Sequence, residues 1–167
     1  MMHIVLHEPE MPANTGNIGR TCVVTGSKLH LIRPLGFEIS DKMVKRAGLD
    51  YWPNLNYAVY EDFQDFLKKN PEAEGKLFMA TTKSRQVYTE ASYPRDCYIM
   101  FGKESAGIPE EILVDYEDTC VRIPMGKDIR SLNLSNSVAI LLYEALRQHD
   151  FEELELAGDL HRLSWSS

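Results

Sequence analysis

The chain has 167 residues, 44% of them hydrophobic and 26% charged, with a formal net charge of −7. These values are typical of one globular domain with a buried core, and the excess of acidic residues argues weakly against a general nucleic-acid binder. No apolar run approaches the roughly 18 residues that span a bilayer, and the first residues lack the pattern of a signal peptide, so we expect neither a membrane protein nor a secreted one.

The chain alternates short apolar runs with amphipathic segments. The apolar runs predict β-strands at 3–7, 29–32, 57–60, 77–81, 97–101 and 119–123. The first helix is expected to begin at Asn14 or Thr15, which are good caps, and to end at Gly26. Further helices are predicted at 41–47, 61–69 and 133–149, with a loop over 83–95.

This order of elements predicts an α/β domain at 1–151, with a mostly parallel sheet covered by helices on both faces. Residues 152–167 carry no strong period and are expected to form a C-terminal tail. The first and last helices carry more apolar residues than one sheet face needs, which favours a homodimer. The three cysteines form no CxxC pair, so we expect buried thiols in a reducing cytoplasm and no metal site.

Three clusters of small polar residues lie where predicted strands end, at 14–20, 101–109 and 123–137. Five of the seven residues from Ser131 to Ser137 carry a hydroxyl or amide, although capping a helix needs only one. Ligands of parallel sheets bind beyond the carboxyl ends of the strands. The clusters therefore predict one binding site built from several loops.

Common nucleotide-binding and hydrolytic motifs are absent from the sequence. It has no GxxxxGK[ST] loop, no GxGxxG after the first strand, no HExxH and no GxSxG. A P-loop NTPase, an ordinary dinucleotide-binding domain, a zinc protease and an α/β-hydrolase are therefore not indicated. A different α/β enzyme that holds a phosphate at its helix N-termini stays open as an alternative.

The three clusters resemble a known set of motifs. They read N-T-G-N-I-x-R at 14–20, F-G-x-E-x-x-G-I-P at 101–109 and I-P-M…R-S-L-N-L-S-N-S-V-A at 123–139. Together they are similar to the motifs of the SPOUT-class (SpoU/TrmD) RNA ribose 2′-O-methyltransferases. Over about residues 2–149 the chain is most similar to the TrmL/YibK subfamily, which methylates the tRNA wobble nucleotide.

The resemblance implies properties that the composition does not show. It implies a C-terminal deep trefoil knot, bound S-adenosylmethionine and a homodimer with its active site across the interface. It also implies a cytoplasmic enzyme that needs no metal. The substrate implied is the ribose 2′-hydroxyl of nucleotide 34, a cytidine or a carboxymethylaminomethyluridine, in the anticodon loop of a tRNA. A knotted RNA-binding domain without catalysis is a second alternative.

The resemblance also assigns roles to residues. Those expected around S-adenosylmethionine are Ala80, Thr81, Gly102, Glu104, Gly107, Ile123, Met125, Ser131, Leu132 and Asn133. We expect the two glycines to let backbone approach the ligand, and Ile123 and Met125 to form an apolar wall for adenine. For Glu104 the alternative role is to hold the loops by accepting backbone N–H bonds.

The catalytic candidates are Arg20, Ser135 and Asn136. Because a guanidinium stays protonated, we expect Arg20 to grip the phosphate beside the 2′-hydroxyl rather than act as a base. Ser135 and Asn136 are expected to orient Arg20 or the ribose, with helix capping as the simpler explanation. The residues expected to contact tRNA are Asn14, Asn17, Arg20, Lys83, Arg85 and Arg130.

Overall fold

A computed structural model of the protein describes residues 1–40, 52–129 and 131–166. The strands are β1 (His3–His7), β2 (Lys28–Ile32), β3 (Tyr57–Tyr60), β4 (Leu77–Ala80), β5 (Tyr98–Phe101) and β6 (Cys120–Val121). The α-helices are α1 (Pro12–Thr25), α2 (Phe63–Lys69), α3 (Glu110–Leu113) and α4 (Leu134–Arg147). Short 3-10 turns lie at Trp52–Asn54, Pro71–Ala73, Tyr88–Glu90 and Val114–Thr119.

The strands form one parallel sheet in the order β3-β2-β1-β5-β4-β6. Alternate residues of each strand face opposite sides. Ile4 joins the core beneath α1 and α4, whereas Val5 joins the core beneath α2 and α3. The predicted parallel sheet with helices on both faces is therefore confirmed.

The elements missing from the sequence prediction are short. Helix α3 has four residues, too few to show a helical period. The predicted basic helix at 41–47 lies outside the described residues.

All three cysteines are buried and unpaired, and burial raises the pKa of Cys22 to about 12. No helix in the described ranges is both long and apolar enough to cross a bilayer.

Helix α1 begins earlier than predicted. It starts at Pro12 with Met11 as the N-cap, and no side chain of its own caps it. Asn14 and Thr15, the predicted caps, lie inside the helix and are buried, so that prediction is wrong. Proline suits this first position because its missing N–H would have no helical partner there. Gly26 ends the helix as predicted, with φ of 66°.

The apolar stripes of the first and last helices are buried within a single chain. Helices α1 and α4 pack against each other on the same sheet face. Ile18 and Cys22 of α1 and Val138 of α4 are 0% exposed. The apolar surplus therefore does not indicate a homodimer, and Val24 and Tyr143 are the large apolar residues that these two helices leave exposed.

The chain after α4 divides into a packed turn and an exposed end. Phe151 and Leu154 pack against the main core, and Arg95 holds the Glu152 carboxylate with two hydrogen bonds of 2.8 and 2.7 Å. Residues 155–166 form no helix or strand and leave Leu156 and Trp165 exposed. The domain boundary at 151 stays a prediction.

A pair of histidines, of which His30 is fully buried and His3 half-buried, connects β1 and β2 and is expected to make stability depend on pH. His3 Nδ1 lies 2.9 Å from His30 Nε2, and His30 Nδ1 lies 2.8 Å from the Tyr60 hydroxyl. Burial lowers the pKa of His30 to about 3 and that of His3 to about 4. Both stay neutral in the folded protein at pH values where the unfolded chain, with pKa near 6.5, takes up protons.

The stability contributed by neutral His30 is thus present above pH ~6.5 and is lost as the pH falls towards ~3, by at most about 1.4 kcal/mol per pH unit. We expect His30→Gln to flatten the pH dependence of the free energy of unfolding between pH 5 and 7. Urea titrations measure it, with His161→Gln in the exposed tail as the matched control. Equal slopes in wild type and His30→Gln would contradict this explanation.

Candidate functional site

A cavity of about 550 Å³ opens at the carboxyl ends of β4, β5 and β6. Its walls are the loops that follow these strands and the first turns of α1 and α4. All ten predicted cofactor residues line it: Ala80, Thr81, Gly102, Glu104, Gly107, Ile123, Met125, Ser131, Leu132 and Asn133. The volume is in the range of small-molecule sites. The structure thus brings these residues together, and their roles stay predictions.

Sequence reasoning missed about half of the cavity lining. The additional residues are Met11, Thr82, Phe101, Lys103, Ser105, Ala106, Ile108, Val121, Leu134 and Ser137. All lie within three residues of a predicted residue, so the signal that could have found them was position along the chain rather than residue type. Asn14 and Lys83, predicted to contact tRNA, also line the cavity.

The two loop glycines have a structural role within the loop itself. A Cβ on Gly102 would lie 2.0 Å from the carbonyl carbon of Gly107 and 2.2 Å from the nitrogen of Ile108. Gly107 has φ of 70°, a conformation that side chains disfavour. Both glycines therefore allow the loop to close on itself, and their close approach to a ligand stays a prediction.

Glu104 fastens this loop to the start of α1. Its carboxylate accepts hydrogen bonds from the backbone N–H groups of Glu10 at 2.9 Å and Met11 at 2.8 Å. These donors lie at the amino end of the helix, where a negative charge is favourable. The geometry favours the loop-holding role of Glu104.

Asn14 connects all three polar clusters. Its amide nitrogen donates to Glu104 at 3.2 Å, and its amide oxygen accepts from the amide nitrogen of Asn133 at 3.3 Å. Asn14 is only 5% exposed. Since both ends of the amide are engaged within the protein, the geometry favours a structural role over contact with tRNA.

The polar run before α4 is organised by Asn133. Its side-chain oxygen accepts from the backbone N–H groups of Ser135 at 2.9 Å and Asn136 at 3.3 Å, and from the Ser135 hydroxyl at 2.6 Å. Asn133 is therefore the helix cap. Neither Ser135 nor Asn136 is among the residues that line the cavity, and Asn136 is exposed.

Three further predicted residues that the structure describes do not line the cavity: Asn17, Arg20 and Arg85. Asn17 and Arg20 are exposed on the outer side of α1, three residues apart and hence on one stripe. Arg130 lies outside the described residues. The structure of one chain therefore gathers the cofactor candidates and brings Ser135 into contact with one of them, Asn133, whereas Arg20 and Asn136 do not line the cavity.

A second groove, of about 800 Å³, borders the cavity at Thr81 and Lys83. Arg85 lines it, but so do four carboxylates: Glu90, Glu110, Glu117 and Asp118. Lys83 itself forms an ion pair of 3.1 Å with Glu110. This balance of charge does not favour a phosphate group inside the groove.

The chain is similar to known RNA methyltransferases. A Listeria innocua protein provisionally named tRNA (cytidine(34)-2′-O)-methyltransferase is 52% identical over 155 residues, covering 91% of this chain and 90% of its own. A solved structure from work on the 2-OH methylation of C/U34 on tRNA is 42% identical, with a TM-score of 0.84 over 91% of this chain and 98% of that one.

A more distant structure is the AdoMet-bound rRNA methyltransferase of Sinorhizobium meliloti. It is 25% identical, with a TM-score of 0.77 over 87% of this chain and 56% of that one. Residues 1–143, most of the chain, match the SpoU rRNA Methylase family. With this match, and with a relative that is 52% identical over nearly its whole length, the chain belongs to the SpoU rRNA methylase family.

Proposed function

We propose that the protein is a tRNA (cytidine(34)/5-carboxymethylaminomethyluridine(34)-2′-O)-methyltransferase. It transfers a methyl group from S-adenosylmethionine to the ribose 2′-hydroxyl of the wobble nucleotide. The observation that carries this proposal is the one cavity that all ten cofactor candidates line, in a chain 52% identical to a relative provisionally named tRNA (cytidine(34)-2′-O)-methyltransferase. Because its substrate is tRNA, we place the enzyme in the cytoplasm.

The cavity suits S-adenosylmethionine in size and chemistry. Ile123 and Met125 supply an apolar wall for the adenine, while Ser131 and Asn133 supply polar groups. When bound, the cofactor supplies a methyl group activated by a sulfonium. The chain's own task is to hold the cofactor and the ribose in line and to lower the cost of removing the hydroxyl proton.

Arg20 is the catalytic residue that we propose. Its exposed guanidinium grips the phosphate beside the reacting ribose and stabilises charge that develops on the 2′-oxygen, and the proton passes to the phosphate or to water. Ser135 and Asn136 help to orient the ribose. Asn17, Lys83, Arg85 and Arg130 contact the anticodon loop, whose unstacked bases are accessible to a protein.

The active site is completed in a homodimer. What supports this is the position of Arg20 on the outer side of α1, away from the cavity of its own chain, beside exposed Val24. Tyr143 leaves a matching exposed apolar side chain on α4, which packs against α1. We propose that these helices meet their copies in a second chain, so that Arg20 serves a site shared by both.

The C-terminal part forms a deep trefoil knot in this proposal. Its support is the path of the chain, which goes from β6 at the sheet edge to α4 beside α1. The residues between them line the same cavity as the 101–108 loop.

The two alternatives have less support. An enzyme that binds phosphate at the start of α4 would need free N–H groups there, but the side chain of Asn133 already accepts from those of Ser135 and Asn136. An RNA-binding domain without catalysis would have no need to keep Arg20, which is present.

Binding of S-adenosylmethionine is the first test. We expect calorimetry to give a Kd near 1 μM, or about 8 kcal/mol. Ala80→Phe adds bulk to the cavity wall without touching the loop glycines and should abolish binding. Ala157→Phe, on the exposed tail, is the matched control and should bind like wild type. Absence of binding to the folded wild-type protein would contradict the cofactor assignment.

Arg20→Ala should lower turnover by about 10²- to 10³-fold, because it removes a positive charge from the developing oxyanion. The affinity for S-adenosylmethionine should stay unchanged, since Arg20 does not line the cavity. Arg20→Lys should restore little, because an ammonium cannot form the same paired hydrogen bonds. Arg95→Ala is the control, because Arg95 precedes β5 and so lies at the amino end of the strands, away from the cavity. Near-normal turnover of Arg20→Ala with saturating tRNA would exclude the catalytic role.

The dimer predicts a mass of twice 19.1 kDa in sedimentation experiments at micromolar concentration. Tyr143→Glu places a charge on the proposed interface and should give monomers that no longer methylate tRNA but keep their fold. Val114→Glu changes an apolar residue that is more exposed than Tyr143 and lies outside α1 and α4, and it should leave the dimer intact. A wild-type protein that sediments as a monomer would overturn the dimer.

A further inference from the structure

The segment before α1 grips three consecutive residues of the loop after β5. Glu8 forms an ion pair of 3.4 Å with Lys103. Glu104 reaches back to the backbone N–H groups at the start of α1. Ser105 donates to the Glu10 carboxylate through both its backbone N–H, at 2.9 Å, and its hydroxyl, at 2.6 Å. Each segment therefore holds the other through a carboxylate.

Glu10 differs from its partners because it does not line the cavity. Lys103, Glu104 and Ser105 all do. The Glu10 carboxylate therefore holds the cavity wall through its hydrogen bonds with Ser105, without itself facing the cavity. The two hydrogen bonds from Ser105 lower the pKa of Glu10, so the carboxylate is ionised at neutral pH and accepts both bonds strongly.

The backbone of Glu10 is held from its other side by Gly36. A Cβ on Gly36 would lie 2.5 Å from the carbonyl oxygen of Glu10 and 2.7 Å from its Cα. The Gly36 N–H also donates to the carbonyl oxygen of Pro9 at 2.9 Å. Only glycine permits this approach, so the loop after β2 fixes where the Glu10 carboxylate stands.

We propose that Glu10 is a positioning residue for the methyl donor, holding the 103–105 wall of the cavity in the arrangement that binds S-adenosylmethionine, and that Gly36 holds Glu10 in place. The inference rests on the proposed location of the cofactor in this cavity. Since Ser105 is exposed, loss of its bonds to Glu10 should cost little global stability and should act on the placement of the loop.

Removal of the Glu10 carboxylate should weaken the binding of S-adenosylmethionine without slowing methyl transfer at saturation. We expect Glu10→Ala to raise the Kd for S-adenosylmethionine about tenfold in calorimetry, and its KM in step. The value of kcat at saturating cofactor and tRNA should stay within about threefold of wild type. Glu10→Gln keeps a neutral acceptor for Ser105 and should give an intermediate Kd. Glu74→Ala is the matched control, because Glu74 is an exposed carboxylate that precedes β4 and so lies at the amino end of the strands, away from the cavity.

Two further variants test the route of the effect. Gly36→Ala changes a residue outside the cavity wall and should raise the same Kd, because it displaces Glu10. Combining Glu10→Ala with Gly36→Ala, or with Ser105→Ala, should add little to Glu10→Ala alone, since the residues act as one unit. Full additivity of these effects would contradict the proposed route.

The outcomes distinguish this inference from the proposed function. If wild type binds S-adenosylmethionine and Glu10→Ala binds it with the same Kd, the positioning role is wrong and the proposed function is untouched. A lower melting temperature with unchanged Kd and KM would assign Glu10 to stability alone. If folded wild type binds no S-adenosylmethionine, the proposed function and this inference both fail.

Discussion

The amide of Asn14 and the carboxylate of Glu104 hold together three segments that are far apart in the sequence. Asn14 donates to Glu104 and accepts from Asn133, while Glu104 accepts from the backbone at the start of α1. Asn14 is almost completely buried, where an unpaired amide would be costly. This network therefore fixes the positions of the cavity walls relative to one another.

The parallel sheet explains why these segments meet. The carboxyl ends of strands β4, β5 and β6 lie together at one end of the sheet, so the loops that follow these strands surround one space. Strand β1 lies beside β5 and runs parallel to it, so the segment 8–14 that follows β1 lies at the same end of the sheet. This arrangement links the loop after β2, through Gly36 and Glu10, to the wall that Ser105 forms.

The sequence was informative where a pattern has one physical meaning. Apolar runs located all six strands, Gly26 located the end of α1, and the polar clusters located the cavity. Local patterns failed where the partner is distant. Glu104, which ties the start of α1 to the loop after β5, is about ninety residues away, and the fit of Gly102 against Gly107 exists only in the folded loop. The apolar stripes of α1 and α4 suggested a dimer because the sequence does not show that the two helices cover each other.

The central claim is methyl transfer to the ribose of the wobble nucleotide, and mapping of the product by mass spectrometry tests it most directly. Unmodified tRNA is incubated with the protein and labelled S-adenosylmethionine, then digested into nucleosides and oligonucleotides. The proposed function predicts one labelled methyl group, on the 2′-oxygen of nucleotide 34. A label on a base, a label on another nucleotide, or no label in the presence of protein that binds the cofactor would contradict it.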